Sequence, residues 1–149
     1  MTDSGSNRFE TFEKRQSMRG AAAEIDVAIR AILDAASRQG YDKASCFAIR
    51  LALEEALANA VRHGNRGDVN RLVQIAWSIN RESAKFEIED EGEGFDAGAI
   101  PDPTAEENLE VPSGRGIVLM RAYMTVLEFM PPGNRVRMEF RPRAMRGDR

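Results

Sequence analysis

The chain has 149 residues, 42% of them hydrophobic, enough for one core and too little for two comfortable domains. Its net charge of -3 is small, no apolar run approaches the roughly 20 residues that cross a bilayer, and the polar start from Met1 to Asn7 lacks the order of a secretion signal. Cys46 is the one cysteine, which excludes an internal disulfide and fits a reducing cytosol; in its apolar helical segment it reads as a small buried hydrophobe. Phe9, Phe12 and Met18 among polar residues predict an edge strand within residues 8–18. Ile25, Ala28, Ile29, Ile32 and Leu33 recur at helical spacing and predict a helix over 21–39, ended by Gly40.

Asp42 is placed to cap a second helix over 43–62, with an apolar face of Phe47, Ile49, Leu51, Leu53, Leu57, Ala60 and Val61. Residues 64–68 read as a loop, since two glycines and Asn65 permit tight turns. Strict alternation follows, with Val73, Ile75, Trp77 and Ile79 facing a core. A turn at 81–83 and a second alternating run over 84–89 make an antiparallel hairpin. Residues 96–113 break periodicity and read as a lid, with a short helix near 106–109. A helix over 117–123, a strand over 125–130, a turn at 131–134 and a last strand over 135–140 complete the order. Helices segregated on one face of a mixed, mostly antiparallel sheet give an α+β, two-layer α/β sandwich. The acidic stretch over 82–110 and the arginine-rich end over 135–149 read as solvated surface. The latter lacks aromatic interleaving, so neither direct nucleic-acid contact nor membrane contact is expected.

Three segments carry chemistry. Glu55 and Asn59 are four apart in a helix and share a face, one turn apart. Asn59 offers an uncharged oxygen suited to Mg²⁺, and Glu55 a carboxylate that accepts a proton or holds a metal-bound water. A solvated helix face explains the pair equally well. His63, the single histidine, sits where a helix end favours a cation. Asp90 ends a strand and is followed by Gly92 and Gly94; a carboxylate at such a bend accepts a hydrogen bond from an exocyclic amine such as that of adenine. A polar turn is the plainer explanation. Gly114, Arg115 and Gly116 precede a helix, where unpaired N–H groups and a guanidinium attract phosphate. The P-loop, the dinucleotide fingerprint and the protein-kinase residue set are all absent.

Together the segments resemble the histidine-kinase-like ATPase superfamily, the Bergerat fold, from about residue 21 to 140. Glu55 to Asn59 matches its first motif, Asp90 to Gly94 its first glycine box, and Gly114 to Met120 its second. The run Glu55-Ala56-Leu57-Ala58-Asn59-Ala60-Val61-Arg62-His63-Gly64 is similar to the signature of small bacterial anti-sigma serine kinases, the RsbW and SpoIIAB type. The resemblance implies one domain over 1–149 that takes ATP and Mg²⁺, with Asn59 on the metal and Glu55 as catalytic base. It implies a nucleotide-binding set of Asn59, His63, Asp90, Gly92, Gly94, Gly114, Arg115, Gly116 and Ile117. It further implies a cytoplasmic serine kinase that phosphorylates a STAS-type anti-anti-sigma protein, binds a sigma factor and forms a homodimer. A non-catalytic nucleotide-binding regulator and a histidine-kinase-type catalytic domain stay open as alternatives. Where the family carries Gly-Thr before the last strand, this chain has Gly133-Asn134, so an adenine contact falls to Asn134 or is lost.

Overall fold

The computed structural model describes residues 11–93 and 114–142. The elements are β1 (Phe12–Met18), α1 (Ala22–Arg38), α2 (Lys43–Asn59), a π-helical turn (Ala60–Gly64), β2 (Val73–Ile79), β3 (Ala84–Glu89), α3 (Gly114–Tyr123), β4 (Val126–Met130) and β5 (Arg135–Phe140). The strands form one five-stranded sheet in the order β1-β2-β3-β5-β4. Every pairing among the described strands is antiparallel, in the expected α+β architecture, and none of them is the parallel pair that a mixed sheet would add. The expected lid over 96–113, its short helix and Gly94 lie outside the described residues.

Alternation fixes which face of the sheet is covered. Val73, Ile75, Trp77 and Ile79 of β2, Phe86 and Ile88 of β3, and Val136, Met138 and Phe140 of β5 all point inward and are buried. They meet Ile29 and Ile32 of α1, Ile49, Leu53 and Leu57 of α2, and Met120 of α3 in one continuous core. Each such aliphatic side chain contributes about 1.5–3 kcal/mol by leaving water. The opposite face carries charge. Arg137 of β5 donates to Glu128 of β4 at 2.7 Å, and Arg135 lies within 3.9 Å of Glu87 and 3.7 Å of Glu89 on β3. A half-solvated antiparallel sheet of this kind needs no second helical layer.

Local chemistry sets the helix ends. Glu24 reaches back from the first turn of α1, its Oε1 accepting from the N–H of Arg19 at 3.2 Å and of Ala21 at 3.4 Å. Asp42 caps α2 as expected, accepting from Ser45 N–H at 2.8 Å, and that bond lowers its pKa. Two expectations about α2 need correction. Its buried face is made by Ala48, Ile49, Ala52, Leu53, Ala56 and Leu57. Phe47 instead is 54% exposed and meets Tyr123 of α3 edge-on, with ring centroids 6.2 Å apart. These alanines are buried in the core, where the neighbouring helices pack closely on α2, and apolar size alone did not signal that. The α-helix also stops at Asn59 rather than running to Arg62, because the backbone widens into the π-turn of Ala60–Gly64. Such single-turn widenings are frequent at functional sites.

Candidate functional site

A cavity of about 330 Å³ opens between the end of α2, α3 and the edge of the sheet nearest the β3 and β5 ends. That volume lies within the range of small-molecule sites. Its apolar wall is Ala56, Ala60, Ile88, Met120, Phe129 and Val136. Polar groups converge from three directions: Asn59 and His63 from α2 and the π-turn, Asp90 and Glu93 from the loop after β3, and Asn134 from the turn before β5, while Arg135 borders the cavity with its guanidinium beside Glu87 and Glu89. Arg66 and Arg71 line it from the loop before β2. The π-turn matters here because it carries His63, which the resemblance places in the nucleotide set, onto the cavity wall with Asn59.

Asp90 is the best-anchored carboxylate of the site. The β3–β5 register, Glu89 opposite Arg135, places Asp90 opposite Asn134. Asp90 N–H donates to the Asn134 carbonyl at 2.9 Å, and Asn134 Nδ2 donates to the Asp90 carbonyl at 3.0 Å. The Asn134 amide is therefore a bracket on the Asp90 backbone. Asp90 Oδ1 accepts from Gly92 N–H at 2.7 Å. A side chain at Gly64 would strike the Asp90 carboxylate, and one at Gly92 would strike the Gly64 carbonyl. Only glycine lets these two backbones close around the acid. Burial pushes the Asp90 pKa above the usual carboxylate range, against the lowering effect of the Gly92 bond; Glu89 adds to the rise and Arg71 opposes it.

Asn59 lines the cavity, and its buried Nδ2 has no hydrogen-bond partner among the described residues. A buried amide left so is costly unless something else meets it. Turning the amide end for end puts Oδ1 at that place, an exchange that hydrogen-bonding alone decides. No group of three or more His, Cys, Asp or Glu side chains among the described residues is placed to hold a metal alone. The donor set thus suits a hard cation that takes most of its oxygens from phosphate and water, and Mg²⁺ fits it.

The remaining expected residues fall elsewhere. Glu55 is half-buried beside α3 and is not on the cavity wall. A methyl group on Gly116 would lie 2.6 Å from Glu55 Oε1, so the glycine makes room for the carboxylate. Gly114 to Gly116 form the first turn of α3 rather than preceding it, a start three residues earlier than the Ile117 expected from apolar spacing. Ile117 is 4% exposed and belongs to the core. Asn65, which the sequence marked only as a turn former, is buried and donates to the Leu72 carbonyl while accepting from Glu91 N–H. Nothing local in the sequence signals that bond, since Glu91 is 26 residues away.

The π-turn that ends α2, the loop after β3 and Met120 of α3 meet at one cavity beside a one-sided antiparallel sheet, the layout of an α+β domain with a small-molecule site. The chain belongs to the histidine kinase-like ATPase domain family, which matches residues 18–140, and that family uses ATP. It is 28% identical over 106 residues to the serine-protein kinase RsbW of Oceanobacillus iheyensis, covering 67% of each chain. It is 30% identical over 97 residues to RsbW of Bacillus subtilis, covering 60% of this chain and 59% of that one. It is 32% identical over 90 residues to an anti-sigma F factor of Clostridium perfringens, covering 58% of this chain and 64% of the relative. The crystal structure of RsbU and RsbW domains from Mycobacterium tuberculosis superposes with a TM-score of 0.59 at 14% identity, over 89% of this chain and 32% of that one. That likeness concerns the fold. No helix among the described residues is long and apolar enough to cross a membrane.

Arg66 shows strain at the cavity. Among the described residues Arg66 is the one non-glycine residue with a positive φ, 55°, and Gly67 follows at 73°. A left-handed conformation costs a side-chain-bearing residue about 1–2 kcal/mol, and such strain gathers at ligand sites. Arg66→Gly is expected to leave thermal stability unchanged or raise it by about 1 kcal/mol, the relief being partly offset by glycine's freedom when unfolded. ATP binding should weaken several-fold in the same variant. Calorimetric titration beside a thermal melt checks both; undiminished affinity would remove Arg66 from the site.

Proposed function

We propose that the protein is an ATP-dependent protein serine kinase that acts as an anti-sigma regulatory factor and phosphorylates a STAS-type anti-anti-sigma partner. The observation that carries this is the division of labour along α2 and β3. Asn59, with its orphaned amide, and Glu55 stand one turn apart at one end, while the half-buried Asp90 carboxylate closes the other. A nucleotide spanning them puts its base at Asp90 and its phosphates toward Asn59 and the first turn of α3. The names of the relatives support the kinase and anti-sigma parts of the reading.

In this reading Asp90 accepts from the adenine amine and the apolar wall of Ile88, Met120 and Phe129 holds the ring. Asn59 would hold Mg²⁺, which when bound neutralises phosphate charge. The serine oxygen forms a bond to the γ-phosphorus as the bond to the bridging β–γ oxygen breaks, ADP leaves, and Glu55 takes the hydroxyl proton. Most of the acceleration comes from positioning and charge neutralisation, as in other phosphoryl transfers. His63 and Gly92 belong to the nucleotide set as wall and Asp90 anchor, and the backbone of Gly114, Arg115 and Gly116 offers first-turn N–H groups to phosphate. A sigma factor as second partner, a homodimeric state and a cytoplasmic location belong to the same proposal.

The test is direct. The protein is incubated with γ-labelled ATP, with and without Mg²⁺, and with STAS-domain proteins encoded near it. Mg²⁺-dependent phosphoserine on one of them is the expected result. Tight ATP binding with no transfer to any candidate would replace the kinase with a non-catalytic nucleotide-binding regulator. Steady hydrolysis without an acceptor would favour an ATPase.

A further inference from the structure

Asn65 is 2% exposed, one of two buried polar side chains found among the described residues. Loops keep polar groups in water unless a bond holds them inside. Here three bonds do so. Asn65 N–H donates to the Ala60 carbonyl at 2.8 Å and closes the π-turn. Its Nδ2 donates to the Leu72 carbonyl at 3.0 Å, just before β2, and its Oδ1 accepts from Glu91 N–H at 2.8 Å. One residue thereby ties the helix end that bears Asn59 and His63 to the loop that bears Asp90.

The tie reaches Asp90 through a single peptide link. Glu91 stands between Asp90 and Gly92, and the Gly92 N–H in turn meets Asp90 Oδ1. On the far side Gly64, the neighbour of Asn65, faces the same carboxylate so closely that a Cβ has no room. Burial opposes the ionised form of Asp90, so a loosened loop would let the carboxylate turn out to water. We infer that Asn65 is a positioning residue that holds the Asp90 carboxylate inside the cavity and so sets its preference for a base with an exocyclic amine. This rests on the ATP reading above.

Inosine triphosphate provides the probe, since a carbonyl replaces the amine at the ring position Asp90 would meet. The full chain is titrated calorimetrically with Mg-ATP and with Mg-ITP. The parent is expected to prefer ATP by about tenfold or more, because a site built for a donor rejects the analogue that lacks it. Asn65→Ala is expected to bring the two dissociation constants within about twofold of each other, mainly by weakening ATP. Asn65→Asp keeps an acceptor for Glu91 N–H and should retain the preference, whatever stability it loses at Leu72. If circular dichroism shows that Asn65→Ala does not fold, Glu91→Pro carries the test, because it deletes the donated N–H with Asn65 in place. Equal weakening of ATP and ITP in a folded variant, with the ratio kept, would overturn the inference and leave Asn65 a structural role. A parent that binds both equally would overturn it too, whereas a parent that binds neither would sink the ATP reading itself.

Discussion

Asp90→Asn is expected to weaken ATP binding by about 10- to 150-fold without destabilising the unliganded protein. A hydrogen bond to a charged group is worth about 1.5–3 kcal/mol, which converts to that range. Asparagine keeps Oδ1 for Gly92 N–H, so the turn survives, but its amide end presents hydrogens to an amine. The pH dependence sharpens the test. Burial raises the folded-state pKa of Asp90, so the folded protein holds the proton more tightly than the unfolded chain. Its stabilising contribution is complete below the ordinary carboxylate pKa and is lost as pH rises through the raised folded value. ATP binding runs the other way, since the ionised acid is the stronger acceptor for the amine, so affinity should climb through the same window. In Asp90→Asn both slopes should flatten. Thermal melts without ligand and titrations with ATP across acidic pH measure them; parallel slopes in parent and variant would remove Asp90 from base recognition.

How much of this was legible beforehand follows from the range of the interactions involved. Val73 to Ile79 and Arg135 to Phe140 announced themselves because period two is written in consecutive residues, and both strands lie where expected. The cap at Asp42 is equally local. The buried face of α2 differs because Phe47 and Leu51 look like core by size, whereas the small Ala48, Ala52 and Ala56 are the ones buried, a choice set by the elements that pack on α2. The π-turn was invisible for a related reason. Residues 60–64 carry no helix breaker until Gly64, and the widened backbone is fixed by Asn65 and by Asp90 across the fold. Likewise Asn134 stood out as a departure from a pattern, but its role as a bracket on Asp90 needed the β3–β5 register. Local periodicity gave the scaffold; the contacts that shape the cavity are long-range and polar.

Glu55→Gln is the second large effect, and it should separate rate from binding. If Glu55 takes the serine proton, the amide should lower phosphotransfer by about 10²–10⁴-fold, the usual worth of a positioned general base. ATP affinity should change less than about twofold, because Glu55 is not among the residues that wall the cavity. Glutamine also keeps the shape that Gly116 accommodates, so α2 and α3 should stay in register. Glu55→Ala would confuse the outcome by leaving a gap beside Gly116. Single-turnover transfer from saturating Mg-ATP to the STAS acceptor measures the chemical step apart from binding and product release. A variant that transfers as fast as the parent would leave Glu55 as a helix-spacing residue, and phosphoryl transfer would then rest on positioning alone. A variant that loses ATP affinity and rate together would instead move Glu55 into the nucleotide site. The separation matters because Glu55 and Asn59 share one helix face. Only a fall in rate at constant affinity assigns the two residues to different tasks, with Asn59 on the phosphate side of the nucleotide and Glu55 on the incoming hydroxyl.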